Sequence, residues 1–149
     1  MNKNFKYKKI KGIVRIQVKS GEANPAPPIG PVLGSRGVNL MDFCKKFNLE
    51  TSKEGSLEKG TLVTVVITIY EDKTFDFIVK SPPTSYLIKK YTKSEKGCQQ
   101  PKKQPLLYIT AEDVEVIAKI KSKDLTAITL NSAIKTVQGT ASSMGFSIR

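Results

Sequence analysis

The chain has 149 residues, 39% of them hydrophobic, and carries 25 Lys+Arg against 13 Asp+Glu for a formal net charge of +12. It contains no histidine, which excludes Ser-His and Cys-His nucleophilic sites, histidine acid–base catalysis and zinc sites that need imidazole. The length suits one ordinary domain or two small ones, and no apolar run approaches the roughly 20 residues that a membrane span requires.

Residues Ile13 to Lys19 alternate, with Val14, Ile16 and Val18 on one side and Arg15, Gln17 and Lys19 on the other, as a half-buried strand should. Gly21 to Gly37 then gathers Pro25, Pro27, Pro28 and Pro31 with Gly21, Gly30, Gly34 and Gly37. Proline fixes φ and glycine opens values that other residues avoid, so the segment is expected to be a rigid path that is neither helix nor strand. Asn39 can cap a helix, with Asp42 at the reciprocal position, and Leu40, Phe43, Cys44 and Phe47 follow at helical spacing to about Asn48. Thr61 to Tyr70 is rich in β-branched residues, and Phe75, Phe77 and Val79 alternate after a turn at Glu71-Asp72-Lys73, which predicts a hairpin. Strand and hairpin make a three-stranded sheet with a helix, a small α/β domain over residues 1–80.

Tandem prolines in Lys80-Ser81-Pro82-Pro83-Thr84 can neither continue a sheet nor extend a helix from before them, so 81–84 reads as a hinge. Beyond it the period changes to about 3.6. Thr84 is the expected cap of a helix through Tyr86, Leu87, Ile88 and Tyr91. A polar, basic loop runs from Lys93 to Gln104, and Thr110 with Asp113 caps a second helix to about Lys123. A third helix, from Thr129, is expected to bury Leu130, Ala133, Ile134, Val137, Ala141 and Met144. Residues 84–149 are therefore read as an all-α three-helix domain, and the fold class as α+β.

Opposite its apolar stripe the third helix shows Thr136, Gly139, Thr140 and Ser143. Glycine inside a helix costs about 1 kcal/mol relative to alanine, so Gly139 implies close approach of another backbone, either a neighbouring helix or a nucleic acid. Small hydroxyl side chains suit contact with sugar and phosphate.

Net charge points to a polyanion, with nucleic acid ahead of an anionic membrane surface. Residues 1–80 carry 14 basic and 8 acidic side chains and residues 81–149 carry 11 and 5, so each half is +6 and the charge is not confined to a tail. In that reading Lys89, Lys90, Lys93 and Lys135 line one anion-facing surface; the alternative is an ordinary solvated lysine-rich face. Gly30, Gly34 and Gly37 fit neither phosphate-loop nor dinucleotide spacing, and Pro31 removes a donor that an anion cradle would use. Cys44 and Cys98 form no CxxC pair, and Cys44 lies on an apolar helical face as a core residue. No catalytic residue, metal or cofactor is expected.

Three segments, NPAPPIGPVLGSRGVNLMDFCKKFN (Asn24 to Asn48), KSPPTSYLIKK (Lys80 to Lys90) and QGTASSMG (Gln138 to Gly145), closely resemble the L-eleven family of large-subunit ribosomal proteins. The resemblance implies a non-enzymatic ribosomal protein whose homeodomain-like C-terminal domain binds large-subunit rRNA at the GTPase-associated region, the stalk base. It implies rRNA-facing positions at Thr84, Lys89, Lys90, Gly139, Thr140, Ser143 and Met144, with Ser142 and Gly145 inside the same motif. Ser142 stands where the family commonly has arginine, and Tyr91 to Gln104 replaces a Gly/Ser-rich loop. Pro25, Pro27, Pro28 and Pro31 would face translation factors such as elongation factor G, among neighbouring stalk proteins, and Lys45 falls where bacterial members can be methylated. Both departures from the family pattern, with the lysine-rich, arginine-poor composition, suggest a mitochondrial ribosome, with plastid or bacterial cytoplasm as alternatives. The rival from another class is a DNA-binding regulator, but its recognition helix would offer Gly, Thr and Ser where base readout calls for Arg, Asn or Gln.

Overall fold

Alternation carries the first element further than its pattern announces. In a computed structural model that describes residues 8–53, 59–101 and 107–149, strand β1 (Ile10–Lys19) begins at Ile10 rather than Ile13. A register shift between Ile10 and Gly12 displaces the period-two signal, which becomes regular only beyond it. Val14, Ile16 and Val18 are buried, and Arg15, Gln17 and Lys19 are exposed.

The proline-rich segment is not wholly irregular, because it contains helix α1 (Ile29–Gly34). Pro31 sits in the first turn of α1, where its missing N–H has no intrahelical partner to lose and its fixed φ suits the helix. Ile29 and Leu33, four residues apart, turn inward and are buried. Rigidity comes from specific anchors. The Asn48 side chain accepts from Ala23 N at 2.9 Å and donates to Ala23 O at 3.1 Å. A side chain at Gly30 would collide with the Pro25 carbonyl oxygen. The Pro27–Pro28 peptide bond is cis.

Helix α2 (Leu40–Lys53) starts as expected: Asn39 Oδ1 accepts from Met41 N at 3.1 Å. Asp42 bonds the Asn39 side-chain amide at 2.8 Å. The helix continues past Asn48 because that side chain is occupied with Ala23, and Thr51 donates back to Phe47 O at 2.8 Å. Strands β2 (Leu62–Tyr70) and β3 (Phe75–Lys80) complete an antiparallel sheet in the order β1-β2-β3. One face of the sheet and the two helices share a core with Phe43 at its centre, edge-on to Phe77 at 5.6 Å and to Phe75 at 5.9 Å. Cys44 is buried there, and burial raises its thiol pKa.

The chain divides into two units, Met1–Lys80 and Ser81–Arg149. Residues 81–84 are tied into the second. Pro82 is buried, and Ser81 donates through its N–H, at 2.7 Å, and through its hydroxyl to Asp124 Oδ2. Helix α3 (Thr84–Thr92) takes Pro83 as its N-cap, with no side-chain capping bond, so Thr84 is the first helical residue rather than the cap. Helix α4 (Ala111–Lys121) is capped by Thr110, whose hydroxyl oxygen accepts from Asp113 N at 3.1 Å, and ends two residues before Lys123. Helix α5 (Leu130–Ser143) is capped by Thr129.

This unit is not all-α. Strand β4 (Leu107–Ile109) pairs in parallel with strand β5 (Phe146–Ile148), and Arg149 N continues the ladder to Ile109 O at 3.0 Å. Each strand is too short to show a period, and a parallel pair needs the long α4–α5 crossover between them. Ile88, Val114, Ile117, Val137 and Phe146 are the heart of the second core. Leu130, expected inside, is 41% exposed because it occupies the first position of α5, beyond the reach of that core.

Candidate RNA interface

Helix α5 buries Ala133, Val137 and Ala141 on one side. At 100° per residue, Lys135, Gly139 and Ser142 fall in one row on the opposite side, flanked by Thr136 and Ser143. All five are exposed, and Thr140 is half-buried at the border. Among the described residues, a Cβ built on Gly139 meets nothing within 4 Å. Of the two explanations open for this glycine, packing against a neighbouring helix therefore fails.

The hydroxyls on this face are engaged with their own helix. Thr136 donates to Ser132 O at 3.0 Å, Thr140 to Thr136 O at 3.1 Å, and Ser143 to Thr140 O at 2.7 Å. With their protons committed, these oxygens present lone pairs outward. Such a surface accepts hydrogen bonds, as from a ribose hydroxyl, and does not donate to a phosphate. Lys135 supplies the positive charge in this row.

Beyond α5 the chain turns sharply at Gly145, with φ of +84°. Gly145 is buried under Cys98 and Pro101, leaving no room for a side chain. Cys98 N donates to Met144 O at 2.9 Å, and Gly97 lies against the same carbonyl. The segment Ser94 to Pro101 is thereby seated on the end of α5, with Lys96, Gln99 and Gln100 exposed. That seating was missed from sequence, although Gly97 and Gly145 were a signal of close backbone approach. Residues 102–104 of the basic loop lie outside the described residues.

Met144 is half-buried and packs on the second core, so its side chain, like Gly145, shapes the end of the helix. Lys89 and Lys90 occupy the last turn of α3, half-buried and exposed respectively. Lys93 is its left-handed C-cap at φ 51°, where it turns the chain toward the seated segment. Thr84 is half-buried at the opposite end of α3, away from that turn. In the first unit Pro25, Pro27, Pro28 and Pro31 are all exposed, as is Lys45 on α2.

A basic α+β protein with a bare, hydroxyl-lined helix face has the character of a nucleic-acid-binding protein without base-reading side chains. Family models place it further. The N-terminal domain model of ribosomal protein L11 matches residues 14–75, and the RNA binding domain model of ribosomal protein L11 matches residues 80–148. The chain belongs to the ribosomal protein L11 family, a structural and non-enzymatic family of the large ribosomal subunit. Its second unit is an RNA-binding domain, and the DNA-binding reading is not supported.

Proposed function

We propose that the second unit grips large-subunit rRNA at the GTPase-associated region, the stalk base, with α5 laid against the RNA backbone. The observation that carries this is the open space at Gly139, which lets a ribose-phosphate strand come as close to the helix as its own backbone allows. Thr136, Thr140 and Ser143 accept from ribose 2′-hydroxyls, a group that DNA lacks, while Lys135 and the lysines Lys89, Lys90 and Lys93 neutralise phosphates. Ser142 extends the row with a small side chain where the family commonly has an arginine, so one phosphate contact is lost there. Met144 and Gly145 shape the loop that flanks it, and Thr84, at the first position of α3, is a further rRNA contact. The three helices α3, α4 and α5 act together as a homeodomain-like unit.

The first unit presents Pro25, Pro27, Pro28 and Pro31 to translational GTPases such as elongation factor G, beside neighbouring stalk proteins, and Lys45 is open to methylation. The tandem prolines of 81–84 serve as the hinge between the two units. The lysine-rich segment after α3 and the serine at 142 favour a mitochondrial ribosome over a plastid or bacterial one.

Replacing Gly139 with leucine tests the reading. The expected outcome is an intact fold by circular dichroism with binding of the stalk-base rRNA fragment lost. Unchanged RNA affinity overturns it.

A further inference from the structure

Among the described residues strand β1 is an edge strand, paired in the sheet with β2 alone. The direction of its backbone groups can be read from Ser20, whose N–H donates to Thr61 O and whose carbonyl accepts from Gly60 N, both at 2.9 Å. Ser20 therefore faces β2, and by strand alternation so do Val18, Ile16 and Val14. The N–H and C=O groups of Ile13, Arg15 and Gln17 point the other way, along the free edge. Lys19 also points outward, but its carbonyl is taken by Glu22 N at 3.2 Å.

This stretch of edge is bounded. At one end the Arg36 guanidinium lies on the side of Gly12 that faces the same way as Val14, 2.7 Å from where a side chain would begin. At the other end a cleft of about 350 Å³ opens between Gln17, Lys19 and the Ala26-Pro27-Pro28 segment, with the carboxylate residue Glu22 and the apolar Ile29 and Leu62 also on its lining. Ile13, Arg15 and Gln17 project their side chains into solvent. Long exposed edges are normally paired, covered or blunted.

We infer that the free edge of β1 receives an extended, acidic segment of a partner protein as a fourth strand of the sheet. Charge selects the occupant. β1 carries Lys11, Arg15 and Lys19 and no acid, whereas the other edge strand, β3, balances Asp76 against Lys80. A second copy of this chain would set those cations against one another, which disfavours pairing. A nucleic-acid backbone offers phosphate acceptors to the N–H groups but no donors at strand spacing for the carbonyls. An added strand supplies both, and the cleft beside Pro27 and Pro28 takes one of its side chains. This inference is independent of the rRNA reading, which concerns the other unit.

The test uses ¹⁵N-labelled full-length protein and a synthetic peptide alternating glutamate with valine, with a lysine–valine peptide as control. The acidic peptide is expected to slow hydrogen exchange at Ile13, Arg15 and Gln17 and to leave the α5 amides unaffected. Arg15→Glu, an exposed substitution, is expected to weaken the peptide about tenfold or more, equivalent to about 1.4 kcal/mol. Gln17→Pro removes an outward donor without touching the ladder to β2 and is expected to abolish that protection. The inference is overturned if saturating acidic peptide protects none of the three amides, if the lysine peptide binds equally well, or if Arg15→Glu binds unchanged. Affinity for the rRNA fragment, measured on the same samples, is expected to stay constant; its failure would count against the rRNA reading alone.

Discussion

Single residues decide more here than their exposure suggests. Asp72, at the β2–β3 turn, accepts from the N–H and hydroxyl of Thr74 and pairs with Lys8 at 3.1 Å. The Thr74 bonds are the main cause holding its carboxyl at a pKa of about 2, with Lys8 adding to them. A carboxyl depressed in the folded state contributes stability that is fully present above its unfolded value and is lost as pH falls through the folded one. Asp72→Asn is therefore expected to lower the melting temperature at pH 5, and the gap to the natural chain should close between about pH 4 and pH 2. A gap unchanged at pH 2 would show that the turn gains nothing from the charge. Residues such as Asp72 were legible as turn formers, but not as titrating groups, because the Lys8 contact spans 64 positions of sequence.

At the scale of elements, what could be read from sequence was whatever a local pattern enforces. Asn39, Thr110 and Thr129 cap their helices because a short side-chain oxygen satisfies orphan N–H groups within three residues. Elements defined by distant partners were not legible. β4 and β5 exist only because Leu107–Ile109 and Phe146–Ile148 meet across two helices, and α1 was hidden by prolines that its first turn tolerates. The face of α5 was legible in outline, since Gly139 and its hydroxyl neighbours share a helical side. That these hydroxyls point their protons inward was not, because it depends on rotamers. This matters for recognition. If hydroxyls accept and lysines carry the phosphate attraction, Lys135→Ala should weaken RNA binding at low salt and reduce the slope of log K against log salt by about one. A slope unchanged in a salt titration would remove Lys135 from the interface.

On the scale of the whole molecule, two cores built on different principles share one chain. The first packs aromatic rings of α2 and β3 beneath a sheet, and the second packs aliphatic side chains of three helices around a short parallel pair. Each unit matches its own model of the same family, residues 14–75 and 80–148. The positive charge is spread over both halves, and in the second α5 presents a face stripped of bulk at Gly139. We propose that this face is built for RNA and not for nucleic acid in general. The most direct test is the affinity of the full chain for the stalk-base rRNA fragment against duplex DNA of equal length at matched salt. Binding to the rRNA at least about tenfold tighter is predicted, a difference of about 1.4 kcal/mol, whereas equal affinity for the two would contradict the account.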